Sequence, residues 1–487
     1  MLIEAVIFLP LAAAVLLLAI PKAAAAALKG VALVATLATF GLSLSFVGGA
    51  AAGVSDVHPW IGGAVTALYH VRIDAWSVFF VLLTTFVSVP AVWAAFSYGD
   101  GARLRGYLIL LLAFEWTLLG LFTAGDLLLF YVYWDLMLVP VFLLLAGYAD
   151  TPQARRAAWG YLLYNGAGGL ILLLGVVGVV VGSHTFEVLG HSYALSIVAE
   201  RWLFVAFALA FLIKTPVFPF HAWMPATYTY APPPVVAMVS AIQSKAGLYG
   251  LIVFALPLFP HAAAWAAPTL LALAVISIIY GALTALGQSD AKTLVAFSSL
   301  SHLGLVILAL FSFAKIAVPA SVVMIVGHGV IVAALFLLLG FVEERTGTRE
   351  LAAFGGLAAV APRLAAFMLI AAMAALGLPG LASFSGEFLI FIGAWQTQPV
   401  YTAIALIAVV LASIYMLKLF QGVMHGALRE PRPSKDDRLI ELKPRELALV
   451  APLVAAMFFI GLWPAWINVR SPASTPAAAA QRVEGRP

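Results

Sequence analysis

Residues 207–225 read FALAFLIKTPVFPFHAWMP, an apolar run with a lysine inside it and two prolines directly after it. An ionisable side chain at the centre of a bilayer costs about 2.5–3.5 kcal/mol on insertion scales, so Lys214 needs a reason to be there. Pro216 and Pro219 each remove a backbone donor and free a carbonyl, which breaks or kinks the helix. At membrane depth the freed groups are tolerated where the backbone lines a cavity. The stretch therefore reads as an interrupted transmembrane helix with a titratable group at the interruption.

The rest of the chain supports a membrane setting. Of 487 residues, 64% are hydrophobic and 9% charged, with a mean hydropathy of +1.09. Soluble domains carry about 25% charged residues, so a soluble enzyme, a DNA-binding domain and a disordered protein are excluded. The net charge of +4 belongs to loops facing the cytoplasm rather than to a nucleic-acid surface. With no cysteine, the chain has no thiolate to hold an iron–sulfur cluster and no disulfide. Met1–Ile20 lacks a basic n-region and a small-residue cleavage site, and reads as a retained first span.

About 20 apolar helical residues cross a bilayer. Stretches of that kind fall at 2–20, 28–49, 75–97, 106–123, 127–147, 158–182, 202–222, 233–256, 267–286, 294–313, 318–341, 364–394, 400–422 and 447–468, about 14 helices. Residues 51–74 leave room for a short extra structure but not for a span. Sixteen of the 25 Lys and Arg, from Lys22 and Lys29 through Lys292 to Arg445, then lie in odd-numbered loops. Even-numbered loops hold Arg72, Arg201 and Lys315. The positive-inside rule makes the odd loops cytoplasmic and puts both termini on the outer side. The expectation is an all-α polytopic domain over 1–468, followed by a disordered tail at 469–487 rich in Ala, Pro and Ser.

Six ionisable residues are left inside spans: Glu115, Asp135, Lys214, Lys245, Glu387 and Lys418. Lys418 lies near the cytoplasmic end of its helix and can snorkel. Counted along their helices at 1.5 Å per residue, the other five lie near one level of a core about 30 Å thick. That arrangement suits lateral proton movement. The plain alternative is a set of structural ion pairs, such as Asp135 with Lys214, although packed apolar residues often replace a buried pair without loss of stability. Glu387 stands in AALGLPGLASFSGEFLIF (374–391), a second span interrupted by Gly and Pro. Two such spans in corresponding positions point to a transporter built from repeats. Lys245 stands in AMVSAIQSKAGLYG (237–250), where serines and glycines serve helix packing or leave room for water. His221, His302 and His328 are candidate relays or hydrogen-bonded packing residues.

Four motifs together resemble a known family: FYVYWDLMLVPVFLL (130–144), IKTPVFPFHAWMPATYTYAPPPV (213–235), QSDAKTLVAFSSLSHLG (288–304) and GLPGLASFSGEFL (377–389). They are similar to the antiporter-like subunits of proton-pumping NADH:quinone oxidoreductase, respiratory complex I, over about 100–450. The resemblance is greatest to the M branch, the counterpart of mitochondrial subunit 4. That branch carries Glu where Glu387 stands, whereas the L and N branches and the Mrp antiporters usually carry Lys. The ERTGTRELAAFGGL segment (344–357) resembles the same branch.

The resemblance implies two inverted five-helix repeats, helices 4–8 (about 106–256) and 9–13 (about 267–422), with helices 7 and 12 broken. It makes Lys214 the central proton-carrying lysine, Asp135 the acid that pairs with it, and Lys245 the relay. Glu387 becomes the terminal group, and Glu115 matches an acid of the fourth helix. The family usually has Glu at the position of Asp135; the shorter side chain alters the reach to Lys214, with a bridging water as one way to span it. The implied function is redox-coupled proton translocation in a bacterial cell membrane, beside subunits L and N. NADH, FMN, iron–sulfur clusters and quinone are then held by partner subunits, and this chain holds no cofactor and no nucleic acid. The alternatives are a subunit of a multisubunit cation/proton antiporter or of an energy-converting hydrogenase.

Overall fold

The computed structural model describes residues 1–48, 53–62, 66–99, 101–149, 151–187, 195–427, 429 and 441–468. The expected disordered tail lies outside these residues. The described chain is mostly helical: α1 (Leu2–Ala19), α2 (Ala25–Ser43), α3 (Ser77–Ala94), α4 (Gly101–Thr123), α5 (Leu127–Leu136), α6 (Leu138–Tyr148), α7 (Pro152–Ser183) and α8 (Ile197–Lys214). After α9 (Met224–Tyr230) comes a segmented stretch, α10 (Pro233–Ala241), a 3-10 turn (Gln243–Lys245), α11 (Ala246–Gly250), a π-helical turn (Leu251–Ala255) and α12 (Leu256–Leu258). Then follow α13 (Pro260–Gly287), α14 (Ala291–Phe311), α15 (Ala317–Thr346), α16 (Leu357–Val360), α17 (Pro362–Ala375), α18 (Ala382–Thr397), α19 (Pro399–Ala405), α20 (Ile407–Met424), α21 (Pro444–Leu462) and α22 (Ala465–Asn468).

Among the described residues, twelve helical stretches are long and apolar enough to cross a membrane. The two expected spans missing from the twelve are the two expected to be broken. The seventh stops at Lys214 and resumes at Met224. The twelfth is split into α17 and α18 by Leu376–Leu381. One element departs from an all-α reading. Strand β1 (Val54–Ile61) pairs antiparallel with β2 (Ala67–Ile73).

Contacts divide the chain into two compact units, each considered by itself. The first holds 1–216 and 242–269; the second holds 217–241 and 270–468. Residues 217–241 fall in the second unit although they lie within the first expected repeat.

Inside each unit, polar contacts sort the helix ends as the loop parity requires. In the first unit the even-loop ends meet. The amino terminus reaches Asp56 at 2.5 Å, His58 meets Glu4 at 2.6 Å, and His70 meets Glu187 at 2.6 Å. Gly125 donates to the His70 carbonyl at 2.8 Å, and Ala262 donates to Glu200 at 3.0 Å. At the opposite ends, Arg105 donates to the Leu18 carbonyl at 3.4 Å.

In the second unit the odd-loop ends meet in a charged cluster. Lys292 pairs with Glu343 at 2.5 Å, Arg349 with Asp290 at 2.9 Å and with Glu343 at 3.2 Å, and Arg345 with Glu446. Lys292, expected in a loop, instead lies in the first turn of α14 with its side chain 2% exposed. Lys418 does not merely snorkel. Its ammonium donates to the carbonyls of Leu286 at 2.7 Å and Gln288 at 2.8 Å, at the carboxyl end of α13. A cation is favoured at that end of a helix.

Candidate functional site

The segmented stretch explains how a lysine is buried without a lipid-facing side. Every residue from 231 to 256 is buried, so Ser240, Gln243, Ser244 and Lys245 all face protein. In contrast, α7 leaves Leu163, Leu170, Leu174 and Val181 exposed along one face, as a helix against lipid does. The 3-10 turn at Gln243–Lys245 has no proline to cause it. Gly247 lies against the Phe211 carbonyl and the Thr215 hydroxyl, where any Cβ would collide, and Gly250 lies against the Phe211 ring. Two glycines thus seat α11 directly on the end of α8. The polar turn before α11 is carried into the interior with it.

In the first unit, Lys214 closes α8 with 1% exposure. Its ammonium lies 4.6 Å from the centre of the Trp134 ring and donates to the Trp134 carbonyl at 3.5 Å. A cation over an indole face is attracted by the ring quadrupole. Asp135 lies on α5 one residue later. No ion pair within 4.0 Å joins it to Lys214 among the described residues, although the two are in electrostatic reach. The Asp135 carboxylate points at α7 instead, against Gly169, where its Oδ1 occupies the place of a Cβ and has no hydrogen-bond partner. The helix is interrupted at Met137, between α5 and α6, three residues before Pro140.

Lys245 is fully buried and donates to Ser244 at 3.2 Å. Beside it, Gln243 donates to the Tyr161 hydroxyl, and Asn165 donates to the Tyr161 carbonyl at 3.0 Å. The side-chain oxygens of Gln243 and Asn165 are buried without a partner. Tyr161 and Asn165 were not singled out by sequence. The signal was present, since Asn165 is the one amide in the apolar stretch 157–182 of α7. Glu115 lies inside an uninterrupted α4, with 0% exposure and neither carboxyl oxygen hydrogen-bonded.

In the second unit, Glu387 sits one turn into α18. Ser383 donates to its Oε1 at 2.5 Å, and His302 Nε2 lies 3.6 Å from the same oxygen. The other carboxyl oxygen packs against Gly377, which has φ +82° in the interruption before α18. A Cβ there would meet both the carboxylate and an unfavourable backbone conformation. His302 and His328 meet edge to face, with ring centres 5.2 Å apart. His221 is set elsewhere in the unit, among Phe218 at 5.8 Å, Tyr280 at 5.2 Å and Phe297 at 6.3 Å. Of the three histidines, then, His302 lies beside Glu387, His328 lies against His302, and His221 sits among aromatic rings. In the same interruption as His221, Ser277 accepts the N–H of Phe218 at 2.9 Å.

Buried titratable groups at helix interruptions can hold and pass protons if water reaches them. Comparison with known proteins points to the same kind of chain. Residues 124–413 match the family described as NADH:quinone oxidoreductase/Mrp antiporter, TM. NADH-quinone oxidoreductase subunit M of Mycobacterium tuberculosis is 34% identical over 93% of this chain and 90% of that protein. The Pseudomonas aeruginosa subunit M is 38% identical over 81% and 79%. A chain of respiratory complex I from Thermus thermophilus superimposes with a TM-score of 0.86 at 33% identity, covering 99% of this chain and 98% of that one. A chain of the Mrp complex from a Dietzia species shares the fold, with a TM-score of 0.83 at 23% identity over 98% and 97%. With relatives this similar over nearly their whole length, the chain belongs to the NADH:quinone oxidoreductase/Mrp antiporter transmembrane family, in its subunit M branch.

Proposed function

We propose that this chain translocates protons as a membrane subunit of an NADH:quinone oxidoreductase, with Lys214, Lys245 and Glu387 as the groups that take up and release them. The observation that carries the reading is the coincidence of buried charge with broken helix. Lys214 ends α8, Lys245 lies in a 3-10 turn and Glu387 follows a Gly/Pro break. Continuous helix satisfies its own backbone; interrupted helix leaves polar groups that hold water at membrane depth. π- and 3-10 turns inside long helices commonly mark functional positions. Asp135 and Glu115 supply nearby carboxylates in the first unit, and His302 with His328 supplies a relay toward Glu387 in the second. His221 is assigned to the opening of its own interruption.

In this reading the redox groups, NADH, FMN, iron–sulfur clusters and quinone, reside in other subunits; for the clusters, this chain offers no cysteine ligand. Its neighbours are the related L and N subunits, side by side in a bacterial cell membrane. The charged odd-loop ends face the cytoplasm and the termini the outer side. The repeats at about 106–256 and 267–422 each provide one half-channel. Moving one charge across about 100 mV takes about 2.3 kcal/mol, within reach of a change in the separation of Asp135 and Lys214 in low dielectric. The test is Lys214→Ala in the intact oxidoreductase in sealed vesicles. Loss of NADH-driven acidification with the complex assembled is expected, and full pumping overturns the reading.

A further inference from the structure

A small cavity lies beside Glu387. It has a volume of about 20 Å³, and its wall includes Ser301, His302, Glu387, Ala405, Ala408 and Ala412. A space of roughly 10–15 Å³ or more holds a water molecule when polar partners line it. Those partners are present. His302 Nε2 and Glu387 Oε1 are 3.6 Å apart, too long for a direct hydrogen bond but close enough to share one water. On α20, three residues beyond Ala412, the hydroxyl of Tyr415 is fully buried and has no hydrogen-bond partner. It lies within electrostatic reach of Glu387.

The opposite wall accounts for the space. Ala405 ends α19, and Ala408 and Ala412 lie on α20; Leu406 between the two helices keeps right-handed helical φ and ψ, so intervals of three and four residues place the three alanines on one side. Any of them enlarged to Val or Leu projects methyl groups into the cavity. We propose that these three alanines keep open a chamber for one water molecule that couples His302 to Glu387, and so determine whether Glu387 exchanges its proton. This rests on the reading of Glu387 as a proton-carrying group. The water donates a proton to the Glu387 carboxylate, forming its O–H bond, and accepts one from the His302 imidazolium, whose N–H bond breaks. Glu387 and His302 end neutral and the water is restored.

The test uses the intact oxidoreductase carrying this chain, in sealed inverted vesicles. Ala412→Leu and Ala408→Val are expected to slow NADH-driven proton uptake about tenfold, which corresponds to a barrier about 1.4 kcal/mol higher. Assembly is followed by the amount of this chain in the purified complex and by NADH oxidation with ferricyanide. Ala412→Ser, which adds a hydroxyl rather than bulk, is expected to pump close to the wild-type rate. If Ala412→Leu does not assemble, Ala408→Val carries the same test, with a second measurement. The carboxyl band assigned to Glu387 by Glu387→Gln difference infrared spectra should move to higher wavenumber as it loses its water. Glu387→Gln also separates two failures. If it pumps normally, the reading of Glu387 falls. If it is inactive while Ala408→Val and Ala412→Leu pump normally with an unshifted band, the chamber alone falls.

Discussion

Lys214 and Glu387 are both buried beside a break in a helix, yet they are held in different ways. Lys214 rests on a ring face and one long hydrogen bond, with its acid turned away toward α7. Glu387 has a serine at 2.5 Å, a histidine at 3.6 Å and a cavity against its side. The lysine site is therefore loosely held, and a displacement of Asp135 changes its electrostatics directly. The glutamate is held more closely, by a hydrogen bond from Ser383 and by His302 beside the same oxygen. Loosely held and closely held groups are useful halves for a device that must take up a proton under control and then pass it on.

The largest effect should come from asking whether each charge must titrate. Lys214→Arg keeps the positive charge but does not release a proton near neutral pH, because arginine stays charged in proteins. It should pump no better than Lys214→Ala, at least about tenfold below wild type. Glu387→Asp, which still titrates, should retain a measurable fraction. Pumping by Lys214→Arg at the wild-type rate would reduce the lysine to a fixed charge and erase the contrast.

Next comes the position of the acid. Gly169→Leu places side-chain atoms where the Asp135 carboxylate lies and should depress NADH-driven proton uptake several-fold while the complex still assembles. Gly377→Ala, on the glutamate side, meets the carboxylate and a positive φ together, and should lower thermal stability as well as pumping.

A smaller effect is expected from Trp134→Leu, which removes a ring attraction worth about 0.5–2 kcal/mol. Proton uptake should fall by a few-fold, and an unchanged rate would show that the carbonyl alone holds the ammonium.

The smallest concerns a peripheral cap. Burial acts against ionisation of Glu441, but the backbone N–H groups of Arg363, Leu442 and Leu364 and the Arg363 charge outweigh it and hold this carboxyl below the usual range. A carboxyl lowered in the folded state contributes stability above its unfolded pKa of about 4.3, and loses it as pH falls through the folded value. The thermal midpoint should decline on acidification below about pH 4, with a part of that decline absent in Glu441→Gln.

What the sequence made legible were features written in residue type. Lys214, Lys245 and Glu387 stand out because charge is rare in apolar runs, and the breaks after Lys214 and before Glu387 follow from Pro216, Pro219 and Pro379. The break at Lys245 was not legible, because its cause is tertiary: Gly247 fits against a carbonyl 36 residues earlier in the chain. The direction in which the Asp135 carboxylate points was not legible for a related reason. Only the packed structure shows that Gly169 offers the carboxylate a closer berth. Residues 54–73 alternate imperfectly and carry Pro59, so the strand pair, which has a register shift near that proline, left a weak sequence signal.

Lys418 secures the end of a helix completed 130 residues before it is synthesised. Until α20 emerges from the ribosome and inserts, the carbonyls of Leu286 and Gln288 lack that partner. A nascent chain cut short ahead of Lys418 therefore carries an unfinished turn at the membrane surface.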